Sequence, residues 1–326
     1  MTRAFVFPGQ GSQVVGMGKD FYDHFSIAKA VFDEVDDVLT PLYGHTLSSI
    51  IFEGPAPTLT QTQYAQAALM TTSIAIFRVL KEQMHDRHNI SILENVSFMA
   101  GHSLGEYSAL CAAGVLSLRD TAYLLYHRGK AMSECVVSPS THDDVSSNKN
   151  PMAALMGLDV EVIERIAKES ECYIANDNGG GQIVLSGTYD AVAHAMELAQ
   201  STGAKRVLPL NVSAPFHCPL MQDAATYMEE KLNDVTFCDA SVPVITNISA
   251  TPQTQGSVFK EHLLEQICGR VRWRETALFL GNHGVKDCFE IGSGKVLTGL
   301  CKRVTADVNG YAINTVSDVD LFLSHA

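Results

Sequence analysis

Residues 96–110 read VSFMAGHSLGEYSAL, and the interpretation of the whole chain starts from this stretch. An apolar run typical of a buried strand leads into GHSLG at 101–105, and the residues that follow are typical of a helix. A serine between glycines at a strand–turn–helix junction is the pattern of a nucleophile elbow. The helix start adds free N–H groups and partial positive charge where an oxyanion can form. We interpret Ser103 as a nucleophile; the alternative is a glycine-rich turn with an inert serine.

Charge and cysteine usage limit the classes of function. The formal net charge of −13 over 326 residues argues against general binding to nucleic acids or anionic membranes. The eight cysteines are scattered and contain no CxxC pair, which is typical of reduced thiols in a cytoplasmic protein and suggests neither a zinc site nor a disulfide framework. No apolar run approaches the roughly 18 residues needed to span a bilayer. We therefore expect a cytoplasmic protein that holds no metal.

Strand-like and helix-like segments alternate along most of the chain, which predicts an α/β fold with a mostly parallel sheet covered on both faces. Strands are predicted at 4–7, 96–100, 242–246 and 287–291. Helices are predicted near 18–38 and at 64–88, 105–113, 118–132, 219–232, 258–268 and 294–304, with Ser117 as an N-cap.

The middle of the chain has a different order of predicted strands and helices. Residues 152–210 read strand, helix, strand, strand, helix, strand, the order of a ferredoxin-like unit. The polar run SPSTHDDVSSNKN at 138–150 precedes it and predicts a mobile surface loop. We predict a small subdomain of residues 137–210, inserted into a large domain of residues 1–136 and 211–326.

A serine nucleophile needs a base, and His217 is the best candidate among twelve histidines. It lies in a proline-bracketed loop between a predicted strand and helix, where sites often collect, although a hydrogen-bonded histidine in a turn is equally compatible. His102 faces a different direction on the elbow. Asp177 and Asp190 fall between serine and histidine in chain order, but neither has the context of an orienting acid. We expect a Ser–His dyad with a neutral acceptor on the imidazole.

Other candidate motifs are weaker. The glycine-rich loop at 9–13 completes neither G-x-G-x-x-G nor a P-loop, and GSGK at 292–295 lacks the leading glycine of a P-loop, so nucleotide binding is not indicated. Arg128 lies in a predicted helix. By itself it reads as a surface charge, whereas a rigid guanidinium near the serine could hold a carboxylate through two hydrogen bonds.

Five motifs then coincide in order with one family. The chain resembles the malonyl-CoA:acyl carrier protein transacylases of bacterial fatty-acid synthesis from residue 4 to about 305. The shared stretches are FVFPGQGSQ at 5–13, GHSLGEYSAL at 101–110, RGKAM at 128–132, APFHCPLM at 214–221 and GSGKVLTGL at 292–300. The resemblance implies an α/β-hydrolase-like core with a ferredoxin-like insertion. The chain departs from the family at Asn150-Pro151, where a glycine is common, and in its long 138–150 loop.

The resemblance also implies roles for individual residues. Ser103 is expected to be the acylated nucleophile and His217 its general base. Arg128 would pair with the free carboxylate of malonate. The backbone amides of Gln10 and Leu104 would form the oxyanion hole, and the backbone carbonyl of Gln266 would orient the histidine.

The implied reaction moves a malonyl group from coenzyme A to the phosphopantetheine thiol of acyl carrier protein, through a malonyl-serine and without a cofactor. A stand-alone acyltransferase of a polyketide synthase is the first alternative. A serine thioesterase or esterase and a non-catalytic carrier-binding module are the others. We expect a monomer that meets its acidic carrier through a local basic patch. Candidate patch residues are Arg270, Arg272, Arg274, Lys295, Lys302, Arg303, Lys205 and Arg206.

Overall fold

The computed structural model describes residues 2–135 and 150–325, so nearly all of the predicted 138–150 loop lies outside the described residues. The strands are β1 (Arg3–Phe7), β2 (Val96–Gly101), β3 (Met152–Met156), β4 (Tyr173–Gly179), β5 (Gln182–Ser186), β6 (Arg206–Pro209), β7 (Val244–Ile245), β8 (Pro252–Gln253), β9 (Asp287–Ile291) and β10 (Asn309–Ile313). The helices are α1 (Lys19–His24), α2 (Ser26–Tyr43), α3 (Leu47–Glu53), α4 (Ala56–Leu59), α5 (Thr62–His88), α6 (Leu104–Ala112), α7 (Leu118–Glu134), α8 (Val160–Glu169), α9 (Tyr189–Ser201), α10 (Gln222–Asn233), α11 (Gly256–Cys268), α12 (Trp273–Asn282), α13 (Val296–Val304) and α14 (Asp318–Leu323).

Six strands form the larger sheet, in the order β10-β9-β1-β2-β7-β8. The neighbours from β10 to β7 are parallel, and β8 joins antiparallel at the edge. Phe7 at the end of β1 lies beside Gly101 at the end of β2. Because the carboxyl ends of parallel strands lie at the same edge of a sheet, the glycine-rich loop after β1 and the turn after β2 meet at that edge. Ligand sites of open α/β sheets lie at this edge.

Alternating side chains of β1 enter separate cores on the two faces of this sheet. Phe5 and Phe7 pack with Phe77 of α5 on one face, with Phe5–Phe77 ring centroids 6.2 Å apart. Ala4 and Val6 pack on the other face in the core that contains Trp273 of α12. Covering both faces explains why β1 is buried throughout and apolar from Ala4 to Phe7. The predicted α/β core is confirmed.

Four antiparallel strands form the smaller sheet, in the order β4-β5-β3-β6. With α8 and α9 it has the predicted ferredoxin-like pattern, and its own core includes Leu155, Ile163, Leu185 and Val192. The fold is therefore an α/β-hydrolase-like core with an inserted antiparallel unit. The domain limits at 137 and 210 stay a prediction.

Several elements differ from those predicted. The helix expected near 18–38 is two helices, because Phe25 is extended with a φ of −126°. The strand expected at 242–246 reduces to the two residues of β7. Six elements were not predicted: α3, α4, α12, α14, β8 and β10. The helices α3, α4 and α14 and the strand β8 carry too few residues to show a clear period, whereas α12, with ten residues, was missed despite its length. Within residues 2–135 and 150–325, no helix has the length and apolarity to cross a bilayer.

Candidate active site

The turn between β2 and α6 has the geometry of a nucleophile elbow. Ser103 adopts φ 53° and ψ −110°, a conformation that costs a side-chain-bearing residue on the order of 1–3 kcal/mol. A Cβ on Gly101 would lie 1.9 Å from the carbonyl carbon of Gly105, and one on Gly105 would lie 2.2 Å from the Phe7 oxygen. Both positions therefore require glycine, as the elbow motif indicates.

Ser103 and His217 are in direct contact, although 114 positions separate them. The serine Oγ lies 2.8 Å from His217 Nε2, and His217 Nδ1 lies 2.8 Å from the backbone oxygen of Gln266. A carbonyl oxygen can only accept, so Nδ1 carries the proton and Nε2 accepts from the serine. Burial first, and then the charge of Arg128, lower the pKa of His217 to about 3. The imidazole is thus neutral at physiological pH and ready to take the serine proton.

The other acid and base candidates point elsewhere. His102 lines the same cavity as Ser103, but its Nε2 contacts Asn178 Oδ1 at 2.8 Å. Asp177 accepts a hydrogen bond from Arg274 at 2.8 Å. The group on His217 Nδ1 is a neutral carbonyl, in agreement with the expected dyad.

Arg128 is buried in the site, so its interpretation as a surface charge is wrong. It is 1% exposed. Its Nη2 donates to Ser103 Oγ at 3.1 Å and to Gln266 Oε1 at 2.7 Å, and its Nη1 donates to Gln66 Oε1 at 2.6 Å. Leu124 and Met132 lie one turn before and after it on the buried face of α7. This spacing of four residues was the sequence signal for burial.

The two predicted oxyanion donors line the same cavity as the serine. Leu104 is the first residue of α6, where a backbone N–H has no acceptor within its own helix. Among the described residues, the N–H groups of Gln10 and Leu104 take part in no hydrogen bond. The N–H of Ser103 is instead bound by Asn247 Oδ1 at 2.7 Å.

Three polar residues of the site were missed by the sequence analysis. Gln66 binds Arg128 from α5, Asn247 follows β7 beside the elbow, and Glu106 lies within the first turn of α6. Asn247 could have been found as a polar residue at the carboxyl end of a strand next to β2. Gln66 and Glu106 had no signal, because polar residues in helices are usually solvated.

A cavity of about 260 Å³ opens at the serine, between the carboxyl edge of the large sheet and the antiparallel unit. Phe216, beside His217, forms part of its wall and is 7% exposed. The other lining residues are Gln10, Gly11, Gln13, Thr60, Gln66, His102, Ser103, Leu104, Arg128, Met132, Met152, Asn176, Leu210, Asn211, Val212 and His217.

The arginines proposed as one part of a basic patch are each paired with a carboxylate. Arg270 lies 3.6 Å from Glu164, Arg272 lies 2.5 Å from Glu275, and Arg274 lies 2.8 Å from Asp177. These pairs cancel much of the local positive charge. The other residues of the predicted patch are Lys295, Lys302, Arg303, Lys205 and Arg206.

Comparison with known proteins gives one consistent result. The family model described as Acyl transferase domain matches residues 4–303. The malonyl CoA-acyl carrier protein transacylase of Bacillus subtilis strain 168 is 44% identical over 323 residues, covering 98% of this chain and 95% of its own. The crystal structure of the acyl-carrier-protein-S-malonyltransferase of Bartonella henselae superposes with a TM-score of 0.91 at 47% identity, covering 100% of this chain and 99% of its own.

A third similar structure is a malonyl-transacylase in complex with its type II PKS acyl-carrier protein. It has a TM-score of 0.89 and 36% identity, and each chain is covered over 100% of its length. Relatives of this similarity, matched from end to end, show the family. The chain belongs to the acyl transferase family, among the malonyl CoA-acyl carrier protein transacylases.

Proposed function

We propose that this protein transfers the malonyl group of malonyl-CoA to the phosphopantetheine thiol of an acyl carrier protein, through a malonyl ester of Ser103. The names of its relatives support both substrates. The buried serine–histidine pair, 2.8 Å apart, supports the covalent intermediate. The proposed activity requires neither a metal nor a redox cofactor.

In the first half-reaction, His217 Nε2 takes the Ser103 hydroxyl proton while Oγ bonds to the thioester carbonyl carbon. The resulting oxyanion is stabilised by the N–H groups of Gln10 and Leu104, each worth about 10²–10³ in rate. The carbon–sulfur bond breaks, and the coenzyme A sulfur receives the proton from His217. In the second half-reaction the carrier thiol gives its proton to His217 and attacks the ester. Ser103 Oγ then leaves the acyl carbon and receives the proton from His217.

The position of Arg128 carries the choice of substrate. Its guanidinium lies 3.1 Å from Ser103 Oγ and is 1% exposed. The atoms that accept from Arg128 are neutral, an anionic partner would stabilise the buried guanidinium further, and a fork of N–H donors matches a carboxylate. The free carboxylate of a malonyl group bound to Ser103 would be such a partner. Phe216 in the cavity wall fits an unsubstituted malonyl unit.

The remaining alternatives differ in where the acyl group goes. An acyltransferase of a polyketide synthase would perform the same chemistry on another carrier. One similar structure is a complex of a malonyl-transacylase with its type II PKS acyl-carrier protein. A thioesterase or esterase would instead pass the acyl group to water. We further propose that the protein acts as a cytoplasmic monomer.

The test compares the fates of the acyl-enzyme. The protein is loaded with malonyl-CoA, separated from free coenzyme A, and followed by intact mass spectrometry with and without a phosphopantetheinylated acyl carrier protein. We expect a malonyl adduct that persists in buffer and moves to the carrier when it is added. Carrier protein lacking the phosphopantetheine arm is the control. Rapid loss of the adduct to water, unchanged by the carrier, would identify a hydrolase.

A further inference from the structure

A buried glutamate lies beneath the elbow and takes no part in the proposed chemical steps. Glu106 is 0% exposed. Its Oε2 accepts hydrogen bonds from the backbone N–H of Asn247 and from Gln266 Nε2, both at 2.8 Å. Its Oε1 has no partner among the described residues. Burying a carboxylate is costly, so this position needs an explanation.

The side chain of Gln266 connects this carboxylate to Arg128. A carboxamide donates from its nitrogen and accepts at its oxygen. Burial raises the pKa of Glu106 to about 7, and its Oε2, which receives two N–H donors, acts as an acceptor in either protonation state. Because Gln266 Nε2 donates to Glu106, Gln266 Oε1 faces the other way and accepts from Arg128 Nη2 at 2.7 Å. Gln266 Nε2 also lies 3.2 Å from the Ser103 carbonyl oxygen and 3.4 Å from Asn247 Oδ1, so Glu106 Oε2 at 2.8 Å is its shortest contact and contributes most to the direction in which the amide points.

We propose that Glu106 is a positioning residue for the substrate carboxylate, because it holds the Gln266 amide with its oxygen toward Arg128 and thereby holds the guanidinium beside Ser103. This inference rests on the proposed malonyl transfer. Without an acceptor at position 106, Gln266 Nε2 keeps only the longer contacts to Ser103 O and Asn247 Oδ1, and the amide can rotate and present its NH₂ group to Arg128. Donors would then face donors, and the guanidinium would lose one of its acceptors near the serine.

Glu106 also acts on the elbow itself. It binds the backbone of Asn247, whose Oδ1 accepts from the Ser103 N–H at 2.7 Å and whose Nδ2 donates to the Gly101 oxygen at 2.6 Å. Disturbing the elbow slows attack on every acyl group. Disturbing Arg128 slows attack only on substrates that carry a carboxylate. The ratio of malonyl to acetyl acylation rates therefore isolates the effect on Arg128.

The experiment measures single-turnover acylation of three variants by malonyl-CoA and by acetyl-CoA. Glu106→Met removes the acceptor with little change in length, and Glu106→Gln keeps an acceptor oxygen. Glu290→Met is the matched control, because Glu290 is also 0% exposed and accepts from two backbone N–H groups, those of Leu297 and Thr298 at the start of α13. Thermal unfolding of each variant reports how much of any change is general destabilisation.

We expect the malonyl-to-acetyl ratio to fall about tenfold or more in Glu106→Met, the loss of roughly one charge-assisted hydrogen bond. Glu106→Gln and Glu290→Met should keep ratios near that of the unaltered protein. An unchanged ratio in Glu106→Met overturns the inference, and so does an equally low ratio in Glu106→Gln.

A further variant keeps the test decisive if Glu106→Met does not fold. Gln266→Met removes the amide that faces Arg128 but keeps the backbone carbonyl that binds His217. The same fall in ratio is expected, and an unchanged ratio overturns the inference. Failure of the proposed function is a distinct result: the unaltered protein itself would then show no preference for malonyl-CoA over acetyl-CoA.

Discussion

Replacing Arg128 with alanine tests the basis of substrate choice. The guanidinium donates to Ser103 Oγ, to Gln266 and to Gln66, and it is buried. Truncation removes the cation that would meet the malonyl carboxylate and leaves two glutamine oxygens without their donor. It also removes a charge that helps to keep His217 neutral. The first effect applies to malonyl-CoA alone. The second lowers the stability of the fold, and the third raises the basicity of His217 whatever the acyl group.

The expected size follows from the contacts. A hydrogen bond between charged groups contributes about 1.5–3 kcal/mol, and at about 1.4 kcal/mol per factor of ten this corresponds to roughly 10–150-fold in rate. The 1% exposure of Arg128 places the effect in the upper part of this range, because little water screens the pair. The acetyl group has no free carboxylate to pair with Arg128, so the rate of acylation by acetyl-CoA should hold or rise. Leaving buried acceptors unpaired should also lower the free energy of unfolding by about 1–3 kcal/mol.

The assay is single-turnover acylation by each thioester, read by intact mass spectrometry after rapid quenching. Arg78→Ala is the matched control, since Arg78 is an arginine with a side chain 34% exposed that pairs with Glu34 at 3.4 Å. This control should leave both acylation rates unchanged. If Arg128→Ala slows malonyl and acetyl transfer by the same factor, Arg128 supports the site only structurally, and the proposed recognition of malonyl is refuted.

Three further predictions concern the dyad and the elbow. Because burial and Arg128 lower the pKa of His217 to about 3, the acylation rate should stay flat from about pH 8 down to about pH 5; a loss centred near 6.5 in a stopped-flow pH series would contradict this. The same shift makes the unfolded chain bind more protons at position 217, so the contribution of His217 to stability should fall as pH drops from about 6.5 toward 3, and chemical denaturation should show His217→Ala to be less acid-sensitive than the unaltered protein over that window. Gly105→Ala should destabilise the fold by about 1–3 kcal/mol or more, since its Cβ would lie 2.2 Å from the Phe7 oxygen. The control Gly299→Ala in α13, with open space around the added Cβ, should be neutral or stabilising. Equal unfolding midpoints for the two variants would refute the packing argument.

Features coded by local pattern were predictable from the sequence. The β2–elbow–α6 junction and the β-α-β-β-α-β unit follow from strand and helix periods together with glycine placement. The Ser103–His217 contact and the neutral acceptor on the imidazole could be expected only because a serine nucleophile needs a base and because the chain resembles a known family. Glu106 could not be foreseen, because a carboxylate becomes buried only when distant donors satisfy it. Its donors come from Asn247 and Gln266, more than 140 positions away.

The burial of Arg128 also depends on contacts that are distant in the sequence. The apolar face of α7 was visible in the sequence, yet an arginine on that face has no favourable interaction until helix α5 and the end of α11 bring acceptors to it. Such long-range polar contacts are not encoded in any local pattern. They form where the fold brings the carboxyl edge of the large sheet, α5, α7 and α11 together.

The central claim is that Ser103 carries the malonyl group. The most direct measurement is peptide mapping by tandem mass spectrometry after brief exposure of the unaltered protein and of Ser103→Ala to malonyl-CoA. We predict a malonyl ester on Ser103 in the unaltered protein, and none in the variant, because no other described serine shares the elbow geometry with a histidine at 2.8 Å. Malonyl labelling of Ser103→Ala at a rate comparable to that of the unaltered protein would contradict the account.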